Sequence, residues 1–185
     1  MRQHHIVIER LMHIFDYMPE DIFLEVVKSI CSASHIATYG VGREGLVMQA
    51  LAMRLYHLGI NVSVVGEMVC QPIQRDELLL VSIGPGRLST CEAITNKALS
   101  AGASVTIFTA TPDFIKQWTS TVKIVSIPAK TMAEYGSSYR EGYSLPLGSE
   151  YELSLWLYFD MITQSVQRDL LIDSTQMIKR HTNLE

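Results

Sequence analysis

The chain has 185 residues, of which 48% are hydrophobic and 18% are charged, so the composition argues against a disordered chain and predicts one domain with a sizeable core. Its net charge is -4 and no stripe of basic residues appears, which argues against nucleic acid as a partner. No apolar run approaches the ~20 residues of a membrane span, so no membrane association is expected.

Taken in chain order, the apolar spacing first predicts two helices within residues 3–31, broken near Pro19, that pack on the domain or on a neighbouring subunit. Strands are then expected at residues 35–39, 62–65, 78–83, 104–109 and 122–127. Helices are expected at residues 44–57, 89–101, 112–118, 148–168 and 173–178, the last of these within a C-terminal tail of residues 173–185. This alternation is typical of an α/β fold with a mostly parallel sheet and helices on both faces.

Two local features of these elements are also predicted. Ser89 and Glu92 have the spacing of a capping box, so Ser89 is expected to cap the helix at 89–101. Residues 129–147 are polar and rich in tyrosine, and they are expected to form a long loop of the kind that often carries function.

Two predicted strands end in glycine-rich turns, Gly40-Val41-Gly42 and Gly84-Pro85-Gly86. Ligands of parallel sheets bind at this carboxyl edge, and free backbone N–H groups there favour phosphate or carboxylate. With Gly45 the first turn also gives a GxGxxG pattern, and Glu67 follows the next strand. Nicotinamide dinucleotide binding therefore stays open as an alternative.

The three cysteines, Cys31, Cys70 and Cys91, are scattered and lack the spacing of a zinc site or a disulfide framework. They are expected to be reduced thiols in a cytoplasmic protein. The N-terminal residues also lack the pattern of a signal peptide, which favours the same location.

Several segments resemble a sugar isomerase (SIS) domain, and more narrowly the 6-phospho-3-hexuloisomerase family: GVGREG at 40–45, AMRLYHLG at 52–59, VVGE at 64–67, LPLGSEYE at 145–152 and IKRHTNL at 178–184. The resemblance implies a three-layer α-β-α sandwich of the flavodoxin or Rossmann type, with a five-stranded parallel sheet in a single SIS domain spanning 1–185. It also implies a homotetramer built as a dimer of dimers.

The chemistry implied by this resemblance is the interconversion of a 3-ketohexose 6-phosphate with fructose 6-phosphate through an enediol, without metal or organic cofactor. The resemblance implies Glu152 as the carboxylate base and His57 as a second catalytic residue, presented to a neighbouring subunit's site. The residues expected to contact a small sugar or sugar phosphate are Gly42, Arg43, Glu44, Gly84, Gly86, Arg87, Ser89 and His181. Glu152 and His57 have an alternative role as charges that complement a helix dipole.

The chain departs from the family pattern at four positions that bear on phosphate binding. Glu44 stands in place of a serine, Ile83 and Pro85 in place of two further serines, and Leu88 in place of a threonine. Four lost hydroxyls and an added carboxylate disfavour a phosphate. Glu44 could instead mimic the phosphate, or bind a cationic group such as an amino sugar.

Two functional hypotheses therefore follow. The first is an intramolecular oxidoreductase, an aldose–ketose or ketose–ketose isomerase whose substrate is altered. The second is a non-catalytic SIS protein that binds a carbohydrate derivative or has a regulatory role, because a fold does not fix its function.

Overall fold

The computed structural model describes residues 2–118, 120–131, 145 and 148–184, and its centre is a five-stranded sheet in the order β2-β1-β3-β4-β5. The strand bounds are β1 Ile36–Tyr39, β2 Val62–Val64, β3 Leu78–Ser82, β4 Ser104–Thr109 and β5 Lys123–Ser126. Every neighbouring pair is parallel, so the carboxyl ends of all five strands lie at one edge. The expected five-stranded parallel sheet is confirmed.

Helices cover both faces of this sheet, which confirms the three-layer α/β architecture. Their bounds are α1 Gln3–Asp16, α2 Glu20–Ser32, α3 Gly42–His57, α4 Ser89–Ser100, α5 Ser149–Asp169 and α6 Ser174–Lys179, with a 3₁₀ helix at Pro112–Trp118. Leu78 and Leu80 of β3 pack with α1, α2, α3 and α5 on one face. Leu79 and Val81 pack with α4 and the 3₁₀ helix on the other. This alternation explains the continuous apolar run of a strand covered on both sides.

The predicted elements are found with their ends shifted by at most two residues. The helix expected from residue 44 begins at Gly42, whose positive φ of 61° lets the chain turn into α3 directly. The expected capping box at Ser89 is wrong: Leu88 is the N-cap of α4 and no side chain caps it. Of the loop expected at 129–147, residues 132–144 and 146–147 lie outside the described residues.

The N-terminal helices α1 and α2 pack against α5, so their apolar faces belong to the core of this chain. The short helix α6 lies beside α3 and carries a capping box between Asp173 and Gln176. None of the helices in the described part of the chain is both long enough and apolar enough to cross a membrane.

A buried histidine ties three strands together at the amino edge of the sheet. The His35 ring, only 2% exposed, lies between the Glu77 carboxylate (Nδ1 to Oε2, 3.1 Å) and the Ser63 hydroxyl (Nε2 to Oγ, 2.9 Å). The Gln74 N–H also donates to Glu77 Oε2 at 2.8 Å. Burial alone raises the pKa of Glu77, but the hydrogen bonds from His35 and Gln74 outweigh it and hold the pKa below its usual value.

Replacing Glu77 by glutamine is expected to lower the free energy of unfolding by about 1–3 kcal/mol at neutral pH, because hydrogen bonds to an ionised acceptor are lost. A carboxylate with a lowered pKa stabilises the fold above its unfolded pKa, and this contribution is lost as the pH falls through the folded value. Urea unfolding near pH 7 and near pH 3 measures both effects. The exposed Glu67→Gln is the control, and equal unfolding midpoints for the Glu77 variant and the wild type would contradict this account.

Candidate functional site

The two glycine turns meet at the carboxyl edge of the sheet and open a cleft of about 600 Å³. We call it the Glu44–Glu152 cleft. Its lining residues come from the start of α3, the turn after β3, the segment after β5 and the start of α5: Val41, Gly42, Arg43, Glu44, Pro85, Arg87, Leu88, Thr131, Tyr151 and Glu152. The sequence therefore predicted correctly that the two turns share one cleft.

Glu44 joins the two turns directly. Its Oε2 atom accepts hydrogen bonds from the Ser82 hydroxyl at 2.5 Å and from the Gly84 backbone N–H at 2.9 Å. A Cβ atom at Gly84 would lie 2.6 Å from Glu44 Oε1, so only glycine allows this close approach of the carboxylate. The Glu44 carboxylate thus occupies donors that a strand end and its turn offer to an anion.

Burial raises the pKa of Glu44, because only 9% of the residue is exposed and the charged form loses hydration. The hydrogen bonds from Ser82 and Gly84 lower that pKa, the nearby Glu152 charge raises it, and the Arg43 charge lowers it, with a net increase. A buried carboxyl group with a shifted pKa in a cleft is a functional candidate on physical grounds.

Arg43 and Glu152 form an ion pair across the mouth of the cleft. Arg43 Nη2 and Nε lie 2.9 Å and 3.0 Å from the same carboxylate oxygen, Glu152 Oε1. The second oxygen, Oε2, is buried and has no hydrogen-bond partner among the residues that the structure describes. Arg43 therefore orients the carboxylate through one oxygen and leaves the lone pairs of the other for another contact.

Two lining residues, Tyr151 and Thr131, were not predicted from the sequence. The Tyr151 hydroxyl lies 3.0 Å from Ser82 Oγ, and burial raises the Tyr151 pKa well above its usual value, so the phenol keeps its proton. Thr131 is 3% exposed, and its hydroxyl has no partner within the described part of the chain. The helical spacing of Tyr151 with Leu155 and Tyr158 indicates its burial, but no local pattern identifies Ser82 as its partner.

A second cavity of about 620 Å³ lies at the other end of α3, and we call it the His57–His181 cavity. The His57 and His181 rings stack with their centroids 5.1 Å apart. Arg180 Nη1 donates to the His57 carbonyl at 3.3 Å and lies against Gly59, where a Cβ would meet the guanidinium at 2.7 Å. The cavity is lined by Met53, Tyr56, His57, Lys179, Arg180, His181, Thr182 and Asn183.

The structure therefore divides the predicted site residues between two places. Gly42, Arg43, Glu44, Arg87 and Glu152 line the first cleft, and Gly84 borders it through Glu44. Gly86 packs against Thr111 and Phe114, and the exposed Ser89 begins α4 without lining either cavity.

His57 is the last residue of α3 and lies about 20 Å from the cleft, given a rise of 1.5 Å per helical residue. Within one chain, Glu152 and His57 are not brought together.

Cys91 lies beside the cleft, where its Sγ donates to the Ser82 carbonyl at 3.7 Å. Burial raises the pKa of Cys91 to about 12, so this residue beside the cleft remains a protonated thiol. No group of three His, Cys, Asp or Glu side chains is arranged to hold a metal ion among the residues described. Glu67, the acidic residue of the dinucleotide alternative, is exposed and does not line the cleft.

Comparisons with known proteins bear on both the fold and the family. A 3-hexulose-6-phosphate isomerase of Mycobacterium gastri is 31% identical to the chain, over 90% of the chain and 81% of the relative. No family model matches the chain.

Two solved structures share the fold. A protein of Methanococcus jannaschii, with an inferred molecular function of 3-hexulose-6-phosphate isomerase, superposes with a TM-score of 0.81 at 24% identity over the whole of both chains. The sugar isomerase domain of an RpiR transcription factor from Sphaerobacter thermophilus superposes with a TM-score of 0.67 at 16% identity, over 94% of this chain and 90% of that one. The fold is therefore that of sugar isomerase domains.

Proposed function

The chain belongs to the 3-hexulose-6-phosphate isomerase family, and from this premise we propose that it is a sugar-phosphate isomerase whose reaction takes place in the Glu44–Glu152 cleft. The reaction would interconvert a 3-ketohexose 6-phosphate and fructose 6-phosphate. The observation that carries the proposal is the Glu152 carboxylate, held by Arg43 through one oxygen and with its second oxygen unpartnered within the described residues.

Moving a carbonyl group between adjacent carbons of a sugar requires a base that removes a proton from one carbon and returns it to the other. Glu152 Oε2 is the group of the cleft that fits this role, because its lone pairs are not used by Arg43. The protons of the two sugar oxygens must also move, and the Thr131 hydroxyl of the cleft, which has no hydrogen-bond partner among the described residues, offers a hydrogen bond to them.

The role proposed for His57 requires a second subunit, because α3 separates this residue from Glu152 in one chain. The surface that leads to His57 suits such a contact. A groove between α3 and α5 exposes about half of the Met53 and Trp156 side chains, and the Arg54–Asp160 ion pair spans it. Met53 also lines the His57–His181 cavity, so the groove and the cavity border the same side chain.

We therefore propose a homo-oligomer, with a homotetramer as the expected form, in which a second copy covers this groove and contributes its His57 and His181 to the cleft. Exposed apolar side chains on packed helices favour association with a second copy over solvent. We also propose a cytoplasmic location, because the described cysteines are free thiols, as expected in a reducing compartment.

The direct test of the function is the conversion of 3-hexulose-6-phosphate to fructose 6-phosphate by the purified protein. Accumulation of fructose 6-phosphate above the protein-free rate supports the proposal. A protein that binds the sugar phosphate without converting it would contradict catalysis.

One observation favours a second candidate, a non-catalytic SIS protein that binds a carbohydrate derivative. Glu44 occupies the Ser82 and Gly84 donors, and a protein that no longer processes a phosphate ester has no need to keep them available. This candidate predicts binding of a neutral or amino sugar without turnover. The assay above therefore separates the two functions.

A further inference from the structure

Glu44 stands out because it places a negative charge on hydrogen-bond donors that a bound anion would use. Its Oε2 atom accepts from both the Gly84 N–H and the Ser82 hydroxyl, at 2.9 Å and 2.5 Å. We call these two donors the Gly84 cradle. They lie where a buried strand of a parallel sheet ends and its turn begins, the usual position of a ligand's anionic group in such folds.

A second, independent observation indicates that the cleft is built for a polar ligand. The Thr131 hydroxyl is buried in the cleft wall and lacks a hydrogen-bond partner among the described residues. Glu152, another lining residue, has an Oε2 atom that is also buried and also without a hydrogen-bond partner among the described residues. Buried polar atoms left without partners are costly, so a ligand that bonds to them is favoured.

We propose that Glu44 is a built-in competitor for the phosphate group of the substrate, which reaches the Gly84 cradle only when the Glu44 side chain moves aside. Protonation of Glu44 favours this movement, because it weakens the two hydrogen bonds and removes the negative charge that repels the phosphate. The inference rests on the proposed function, because it takes the ligand to be a sugar phosphate. It makes Glu44 a residue that determines affinity and pH dependence, without a part in the proton transfer.

The charges around Glu44 set the direction of this competition. Arg43 of α3 is a nearby cation, while Glu152 of α5 adds a second negative charge. Tyr151 of α5 and Cys91 of α4 also face Glu44, and burial keeps both of them protonated.

Arg87 also lines the cleft, and its guanidinium group lies over the Phe114 ring. An arriving dianion would meet two carboxylates, so acidification that neutralises Glu44 should strengthen binding.

The test uses inorganic sulfate as the probe, measured by calorimetry on the full chain between about pH 8 and about pH 5. Sulfate keeps both charges across this range, whereas a phosphate ester takes up a proton near pH 6. The wild type is expected to bind sulfate at least about tenfold more tightly at the acidic end. Glu44→Gln is expected to bind about tenfold more tightly than the wild type near pH 8, with the pH dependence removed.

Glu92→Gln is the matched control, because it removes one negative charge from the first turn of α4 and leaves the cradle intact. It should bind sulfate as the wild type does. Glu44→Ser removes the side chain's bulk as well as its charge, and it should also bind more tightly near pH 8.

The inference would be overturned by a wild type whose sulfate affinity does not change with pH, by Glu44 variants that bind no more tightly, or by an equal gain in Glu92→Gln. The first needs no variant, so the inference stays testable if the variants do not fold. If the pH dependence of sulfate binding persists in Glu44→Gln, a group other than Glu44 causes it, which also contradicts the inference.

Turnover separates this inference from the proposed function. If the protein is an isomerase and Glu44 is the competitor, Glu44→Gln lowers KM for the sugar phosphate by about tenfold near pH 8 and leaves kcat within about twofold. Turnover with an unchanged KM would leave the function in place and refute the role of Glu44. A further outcome is that sulfate binds as predicted while neither the wild type nor any variant converts the sugar phosphate. That outcome would support the competitor role of Glu44 and refute the proposed isomerase function.

Discussion

Glu152→Gln is expected to lower the turnover of the sugar phosphate by about 10²–10⁴-fold, because glutamine cannot accept the proton that leaves the carbon. Glutamine has the same shape and still offers an oxygen to Arg43, so the cleft should keep its geometry. Substrate binding should therefore survive, and the loss should appear in kcat with KM changed by no more than a few fold. Steady-state kinetics together with a thermal-shift assay of fructose 6-phosphate binding measures both effects.

Asp169→Asn provides the control for this variant. Asp169 ends the same helix as Glu152, but its side chain is about half exposed and pairs with the neighbouring Arg168. The variant removes one charge from α5 without touching the cleft, and it should retain wild-type turnover. If Glu152→Gln kept full activity, the base would have to be another group and the assignment of Glu152 would be wrong.

Mixing two inactive variants is expected to restore activity if each site takes Glu152 from one subunit and His57 from another. His57→Asn alone should lose about 10²–10⁴-fold in turnover, as for a group that assists proton transfer. When the two variants are unfolded, mixed in equal amounts and refolded together, about a quarter of the sites combine an intact Glu152 with an intact partner His57. The mixture should therefore regain about a quarter of the wild-type activity.

Two measurements accompany this complementation. Light scattering must first give the mass of an oligomer, and a stable monomer would contradict the shared site. A mixture that stays as inactive as its two components, although mixed oligomers form, would mean that His57 serves no neighbouring site. The described contacts of His57 with His181 and Arg180 would then be structural.

Much of the fold could be predicted because the local signals agree with it. The run Leu78-Leu79-Leu80-Val81-Ser82 is apolar without alternation, and both faces of this strand are buried in the structure. Element ends were less predictable. Ser89 has the sequence of an N-cap, but the chain reaches α4 through an extended Leu88, so Ser89 becomes its first residue. Cap geometry depends on the incoming backbone, which spacing alone does not specify.

Individual residues of the candidate site could be predicted from the sequence, but the contacts between them could not. Glycine turns after two strands placed Gly42 and Gly84 at one edge, and the resemblance supplied Glu152. The contact of Glu44 with Gly84, 40 residues apart, depends on how α3 enters the sheet. Thr131 likewise reaches the cleft only through the order of β4 and β5. The separation of His57 from Glu152 follows from the length of α3, and this length could be predicted from the sequence.

Proton exchange in heavy water tests the central claim most directly, because it detects removal of a carbon-bound proton. Fructose 6-phosphate is incubated with the protein in D₂O, and proton NMR follows the signal of the hydrogen on C3, the carbon next to the carbonyl group. If Glu152 removes a proton to form an enediol, this signal decays with the wild type and persists with Glu152→Gln. A C3 signal that persists with the wild type, at concentrations where binding of the sugar phosphate is demonstrated, would contradict the account.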